Sequence, residues 1–205
     1  MYRILGPKGH LIVRSATLAR VKQILPGLRR RFGKVRLVNL ARPKSFTMYD
    51  SIIVAELPAD AAAVAGYMNG HWPTFPVLAE THPHAKRLAI AVSASVEAEC
   101  LDIEKGDALA TEAPAWVRRQ QARGVKRPVV YTSLSQAKTV LSILNAHGIS
   151  RRQVRLWTAH YTGRPHRCSP RCRFGLWTRA DATQYTDKAR GKNLDASLCA
   201  PRFLP

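Results

Sequence analysis

The spacing of apolar positions changes near residue 45. Before that point, short apolar runs flank a Gly-Pro-Lys-Gly turn, and an apolar stripe with helical spacing follows. Pro26 is expected to kink or end this helix, for which Ser15 is a suitable N-cap. Residues 41–45 have the composition of a linker. The pattern predicts a basic β–α–β segment over 1–45, with strands over 2–5, 10–13 and 34–40 and a helix over 16–32.

From residue 46 onward, short apolar runs alternate with helical spacing, which is typical of a mostly parallel α/β fold. We expect strands over 46–54, 74–78, 87–93, 98–103, 128–133, 154–161, 182–185 and 193–198, and helices over 59–67, 110–124 and 136–147. About eight strands favour a TIM-like (β/α)8 barrel over residues 46–205. This barrel must be abbreviated, because such folds usually need at least roughly 200 residues.

Two carboxylates mark the end of one predicted strand. Positions i and i+2 of a strand share a face, so Asp102 and Glu104 are expected to project together. Leu101 and Ile103 then face the opposite way, into packing, and Gly106 ends the strand. Enzymes with parallel α/β folds place their chemistry at such strand ends. The same residues also fit a merely solvated strand end.

Charge is distributed unevenly along the chain. The formal net charge is +20, from 33 basic and 13 acidic residues, which implies a polyanionic neighbour such as nucleic acid, an anionic cell wall or a membrane surface. Residues 1–45 contain twelve Lys or Arg and no acid. Arg29, Arg30 and Arg31 are candidates for polyanion contact, and a plain solvated basic face explains them equally well.

The four cysteines are too few for a disulfide scaffold. Cys168 and Cys172 are compatible with free thiols or with a small disulfide loop. Together with His160 and His166 they are also compatible with a zinc site, although their spacing is not one of the familiar zinc patterns. We expect no metal and no cofactor, and the three alternatives for this cluster stay open.

No apolar run is long enough to span a bilayer, and the first twenty residues lack the features of a signal peptide. We therefore expect a protein that is cytoplasmic at synthesis and acts later at a cell wall or on a virion.

Polar residues recur in a fixed order at the predicted strand ends. The first strand carries Asp50 and the fourth carries Leu-Asp-Ile-Glu over 101–104. Leu-Trp-Thr-Ala-His-Tyr over 156–161, Ala-Thr-Gln-Tyr-Thr over 182–186 and Asn-Leu-Asp over 193–195 follow. This ordered set resembles glycoside hydrolase family 25, the Chalaropsis-type lysozymes, and related glycoside-hydrolase-like barrels. The resemblance covers about residues 46–200.

The resemblance implies a muramidase-like enzyme, for example a phage lysin or virion-associated protein, that cleaves peptidoglycan without a cofactor. Glu104 would be the general acid, its pKa raised by Asp102, Asp50 and Asp195. Asp102 would stabilise positive charge or orient the N-acetyl group of the substrate, and Asp50 and Asp195 would line the pocket floor. Substrate-binding residues would be Tyr131, Trp157, Tyr161, Gln184 and Tyr185, although core packing also accounts for Trp157.

Other classes of function stay open at this point. A barrel without glycan-binding loops would be an inactive binding module or a virion structural protein. The basic segment over 1–45 suits a nucleic-acid-binding protein or a virion contact. A nuclease could use Asp50, Asp102 and Glu104 to hold Mg²⁺.

Overall fold

A computed structural model describes residues 2–15, 17–39 and 44–204. Internal contacts divide the structure into two units, one ending at Lys44 and one beginning at Ser45. Residues 41–43 of the predicted linker lie outside the described residues. None of the described helices is long and apolar enough to cross a membrane.

The first unit is a three-stranded antiparallel sheet with one helix. Its elements are β1 (Tyr2–Leu5), β2 (Leu11–Ser15), α1 (Leu18–Phe32) and β3 (Arg36–Asn39), with β1 between β2 and β3. The helix N-cap is Thr17, whose side chain accepts a hydrogen bond from the Arg20 backbone N–H at 3.2 Å. Ser15 belongs to β2, so the predicted N-cap was wrong. The helix continues through Pro26 to Phe32, so that residue does not end it.

The second unit is a closed barrel of eight strands. They are β4 (Phe46–Asp50), β5 (Ala63–Tyr67), β6 (Lys86–Ala91), β7 (Cys100–Asp102), β8 (Val129–Ser133), β9 (Arg155–Ala159), β10 (Ala182–Thr186) and β11 (Asp195–Cys199). Strands β4 to β10 run parallel to their neighbours in chain order. Strand β11 closes the barrel and is antiparallel to both β10 and β4.

The predicted (β/α)8 barrel was wrong, because the barrel is mixed and few helices separate its strands. Among the described residues of this unit, the α-helices are the single turn α2 (Leu78–Thr81), α3 (Ala113–Ala122) and α4 (Leu134–Ala146). Only residues 187–194 join β10 to β11. A parallel crossover needs about a dozen residues or more, so this short connection returns the chain antiparallel.

Two predicted elements between β4 and β6 were wrong as well. The helix expected over 59–67 is β5, and the strand expected over 74–78 is a 3₁₀ turn followed by α2. The sequence Ala-Val-Ala-Gly-Tyr has small residues suited to a crowded strand. At Gly66 an added Cβ would lie 2.8 Å from Leu78 Cδ1 and 3.0 Å from the backbone of Phe75. Tertiary packing therefore selects the strand.

Inward and outward side chains of the barrel form separate cores. Alternate residues such as Met48, Leu88, Cys100 and Trp157 fill the interior. The outward residues Leu101, Val130 and Leu156 pack with the buried faces of α3 and α4, including Trp116 and Leu144. Apolar side chains therefore fill most of the barrel interior.

Candidate active site

Four acidic residues meet at the end of the barrel where the parallel strands finish. Asp50 is the last residue of β4 and Asp102 the last of β7, and Glu104 follows two residues later. Asp195 is the first residue of β11, and since β11 is antiparallel, its register places Asp195 opposite Asp50. Strand direction therefore brings together residues that lie far apart in the sequence.

Asp50 and Asp195 form a buried acidic pair. Asp50 is 2% exposed and its Oδ1 is buried without a hydrogen-bond partner. Burial, then the charge of Asp195 and a hydrogen bond with it, then the charge of Asp102 raise the pKa of Asp50 well above its usual range. Burial also raises the pKa of Asp195, but hydrogen bonds from Asp50 and Gln184 oppose that rise. Both carboxyl groups therefore keep a proton to higher pH than an ordinary aspartate.

The predicted alternation at Asp102 and Glu104 is confirmed. Leu101 and Ile103 pack in the outer core, whereas Asp102 and Glu104 face a cleft. Burial first, then the charges of Glu104 and Asp107, raises the pKa of Asp102 to about 8. Asp102 is 4% exposed and its Oδ1 has no partner. At neutral pH this group is mainly a neutral carboxylic acid.

Glu104 is half-buried, and its pKa is raised by burial, then by the charge of Asp107, then by that of Asp195. The direction agrees with the prediction from the sequence. The cause differs, because burial makes the largest contribution to the raised pKa. The charge of Asp107 contributes in place of the expected charges of Asp102 and Asp50. Asp107 follows the Gly106 turn, and its own pKa is raised by burial.

A cleft of about 330 Å³ gives access to Asp102, Glu104 and Asp107. Besides Asp102, Glu104 and Asp107, its lining includes Tyr67 and a loop over residues 69–72. The Asn69 side chain accepts a hydrogen bond from the Val92 N–H at 3.0 Å, which fixes this loop, and Trp72 at the end of the loop is 57% exposed. Asp50 and Asp195 lie outside the lining.

The reasoning from sequence missed Tyr67, Asp107 and the 69–72 loop. Tyr67 was not identified as a site residue because its strand was interpreted as a helix. An Asn-Gly-His-Trp sequence directly after a correctly assigned strand would have been the signal that this loop lines a site.

The predicted substrate-binding residues separate into two sets. Tyr131 donates a hydrogen bond to Gln184 Oε1 at 2.6 Å, and Gln184 Nε2 donates to the Tyr161 hydroxyl at 3.2 Å. This chain runs from the barrel interior to Tyr161, which is 56% exposed. It orients three polar side chains at the same end of the barrel as the acids.

Trp157 and Tyr185 do not belong to this set. Trp157 is 1% exposed, donates to Ser197 Oγ at 2.9 Å and contacts Tyr131 at 4.6 Å between ring centroids. It is therefore a core residue without a face for a sugar. Tyr185 follows the inward-facing Gln184, and lies beside Tyr49 on the outside of the barrel. Both predictions differ from the structure because the strand pattern identifies an aromatic residue but does not show whether its ring faces open space.

The sequence matches no protein-family model. No curated protein sequence matches it either.

Two solved structures are similar to the chain. An uncharacterised protein of B. stearothermophilus has a TM-score of 0.51 and 16% identity, over 78% of this chain and 98% of its own. The Clostridium perfringens spore cortex lytic enzyme SleM has a TM-score of 0.44 and 14% identity, over 80% of this chain and 69% of its own. At these identities, the likeness to the first structure concerns the fold alone.

The Tyr131 hydrogen bond has a measurable consequence for stability. Replacing Tyr131 with Phe leaves the Gln184 Oε1 buried without its donor, which lowers the free energy of unfolding by about 1–3 kcal/mol. Urea denaturation of both proteins measures the difference. Tyr185→Phe, on the outer face, is the matched control and is expected to change stability by less than about 0.5 kcal/mol. Equal effects of the two variants would contradict this role of the hydroxyl.

Proposed function

We propose that the barrel unit, from Ser45 onward, is a glycoside hydrolase that cleaves the glycan of peptidoglycan. The observation that carries the proposal is the set of acids at one end of the barrel. Their pKa values are all raised, with burial as the largest cause for each, and Glu104 and Asp102 face an open cleft. Glycosidases need carboxyl groups at the substrate, one to give a proton and another group to support positive charge.

The environments suggest a role for each acid. Glu104 is the most accessible of the four predicted acids, so it protonates the leaving glycosidic oxygen as the C–O bond breaks. Asp102 is mainly protonated near neutral pH and is suited to donate a hydrogen bond to the N-acetyl oxygen of the substrate. This favours its orienting role over charge stabilisation. Water then attacks the sugar carbon and returns a proton to Glu104.

The remaining acids supply charge and support. The charge of Asp195 contributes to the electrostatic environment of Glu104. Such a charge stabilises the positive charge that develops on the sugar ring. Asp50 lies opposite Asp195 and outside the lining of the cleft. Tyr161, exposed at the rim, offers a face for a sugar.

The substrate class follows from the charge of the whole chain together with the family resemblance. A net charge of +20 attracts the chain to anionic cell-wall polymers, and salt weakens this attraction. The proposed place of action is therefore the cell wall.

The alternatives receive less support. Among the described residues, the only group of three or more His, Cys, Asp or Glu placed to hold a metal ion is His160, His166, Cys168 and Cys172. The acids Asp50, Asp102 and Glu104 are not in that group, which argues against the Mg²⁺-dependent nuclease.

The proposal is tested with the full chain and purified peptidoglycan in buffer without added Mg²⁺. We expect the suspension to clear and new reducing sugar ends to appear in proportion. The same protein is incubated with double-stranded DNA, with and without Mg²⁺, and is expected to leave it intact. Binding to walls without new reducing ends would contradict the proposal and identify a binding protein, and Mg²⁺-dependent cleavage of DNA would identify a nuclease.

A further inference from the structure

The segment between β9 and β10 is unusually long for a connection without regular structure. It covers residues 160–181 and contains only the 3₁₀ turn Pro170–Cys172. Loops of more than about 12–15 residues without secondary structure are uncommon in compact domains. We call this segment the cysteine loop. It carries five arginines and only one acid, Asp181, at its end, so charge pairing within the loop does not explain its ordered path.

Four side chains of the cysteine loop converge on one point. They are His160, His166, Cys168 and Cys172, and their ligand atoms all lie within 4.8 Å of one another. His160 Nδ1 is 3.0 Å from His166 Nε2, and Cys168 Sγ is 3.4 Å from the former and 3.6 Å from the latter. Four side chains that each offer a soft or borderline donor at one point match the composition of a zinc site.

The distances among His160 Nδ1, His166 Nε2 and Cys168 Sγ agree with those around a tetrahedral zinc ion, and Cys172 Sγ lies within 4.8 Å of these atoms. With Zn–N of about 2.05 Å and Zn–S of about 2.3 Å, two nitrogens are separated by about 3.3 Å, and a nitrogen and a sulfur by about 3.6 Å. The two nitrogen–sulfur distances are within 0.2 Å of this value. The nitrogen–nitrogen distance is slightly shorter, so a small movement of one ring would admit the ion.

The hydrogen bonds of His166 assign its free nitrogen. Its Nδ1 lies 2.9 Å from the Arg164 carbonyl oxygen. A carbonyl oxygen only accepts, so Nδ1 carries the proton and the neutral ring presents its lone pair at Nε2, towards Cys168 and His160. Histidine ligands of metals usually donate their second ring N–H to a carbonyl or carboxylate in this way. This contact is an observation independent of the clustering.

The backbone holds the cysteines in position from the barrel side. The Cys168 N–H donates to Thr183 Oγ1 of β10 at 2.9 Å, and the Cys168 carbonyl accepts from the Ala180 N–H at 2.9 Å. Cys168 is fully buried. After Cys172, Arg173 and Phe174 adopt positive φ angles of 65° and 56°, which are uncommon for residues other than glycine. A strained turn of this kind requires a restraint close to it.

We propose that His160 Nδ1, His166 Nε2, Cys168 Sγ and Cys172 Sγ bind one Zn²⁺ ion. Four protein ligands leave no open position, so the site is structural rather than catalytic. Two thiolates balance the charge of the ion. The ion fixes the cysteine loop against β9 and β10. Because Tyr161 follows His160 directly, the same ion restrains the rim of the candidate active site.

The first test measures metal content directly. The full chain is purified without chelator from medium containing zinc, and we expect one zinc per chain by elemental analysis. Replacement of zinc by Co²⁺ is expected to give the visible bands of a tetrahedral ion and a near-ultraviolet thiolate-to-cobalt band. This spectrum is recorded on the unaltered sequence, so it does not depend on the folding of a variant. Neither measurement involves glycan hydrolysis.

The second test uses matched variants. Cys172→Ser and His166→Ala are expected to weaken Zn²⁺ affinity by more than about 100-fold, since even changes next to a ligand cost about 10–100-fold. Cys199→Ala on β11 and the exposed His84→Ala are controls that leave the zinc content unchanged. Circular dichroism of each variant establishes that it is folded. Zinc binding of unchanged affinity in folded Cys172→Ser and His166→Ala would overturn the proposal.

Two other outcomes overturn it as well. If Cys168 and Cys172 form a disulfide, the purified protein contains no zinc and a thiol assay of the denatured chain detects two thiols instead of four. If the cluster consists of free thiols and hydrogen-bonded histidines, all four thiols react and added Zn²⁺ fails to bind. If the unaltered chain contains zinc but does not hydrolyse glycan, the proposed enzyme function is contradicted and the proposed zinc site is not.

Discussion

We expect replacement of Glu104 with Gln to lower the proposed peptidoglycan hydrolysis about 10²–10⁴-fold, the usual contribution of a general acid. Gln keeps the size of the side chain at the cleft but has no proton to give to the leaving oxygen. Because Glu104 is half-buried at the end of β7, the substitution leaves both cores of the barrel untouched. Release of reducing ends measures the rate, and thermal denaturation shows that the fold is retained.

A matched variant and a pH profile sharpen this result. Glu80→Gln removes the same charge at an exposed position of α2 and is expected to leave the rate unchanged. The raised pKa of Glu104 keeps its proton to higher pH than an ordinary glutamate, so the activity of the unaltered chain falls as pH rises through that pKa. If Glu104→Gln hydrolyses peptidoglycan as fast as Glu80→Gln does, Glu104 is not the general acid.

Replacing Asp102 with Asn stabilises the folded chain by about 2–4 kcal/mol at pH 7. Burial raises the pKa of Asp102 to about 8 in the folded state, whereas an unfolded aspartate ionises near about pH 4. Folding at neutral pH therefore requires this group to take up a proton or to remain charged without solvent. Asparagine has nearly the same shape and avoids both costs.

The sign of this effect gives it a pH window. A folded pKa above the unfolded value contributes stability that is complete below about pH 4 and is lost as pH rises through about pH 8. The difference between Asp102→Asn and the unaltered chain is therefore small at pH 4 and reaches its full size near pH 8. Urea denaturation across this range measures it. Asp60→Asn, whose side chain is 85% exposed, is the control with little change. A difference independent of pH would show that Asp102 ionises normally.

When a buried group destabilises a protein but is needed for its chemistry, replacing that group is expected to raise stability and lower activity. Asp102→Asn is expected to slow glycan hydrolysis while it stabilises the fold, because an amide N–H is a weaker hydrogen-bond donor to the N-acetyl oxygen than a carboxylic O–H. Asp50 and Asp102, two acids of the candidate site, are among the residues with a buried side-chain oxygen that lacks a hydrogen-bond partner. Such atoms are uncommon in folded proteins.

The local pattern of side chains was enough to predict that Asp102 and Glu104 lie on the same side of the chain. Alternation along β7 assigned Leu101 and Ile103 to packing and left Asp102 and Glu104 together, as the structure has them. The spans of α3 and α4 followed from helical spacing, because each helix buries one apolar stripe. These features depend only on neighbours in the sequence, which is why the sequence alone determined them.

Other features depend on contacts between distant residues, and only the tertiary structure decided them. The strand β5 exists because the barrel admits its small residues, and β11 is antiparallel because the connection before it is short. Whether Trp157 and Tyr185 could contact a substrate depended on which face of the closed sheet each side chain occupies. The raised pKa of Asp102 and the convergence of His160 with Cys172 arise from burial and from loop path, and neither is encoded in a local periodicity.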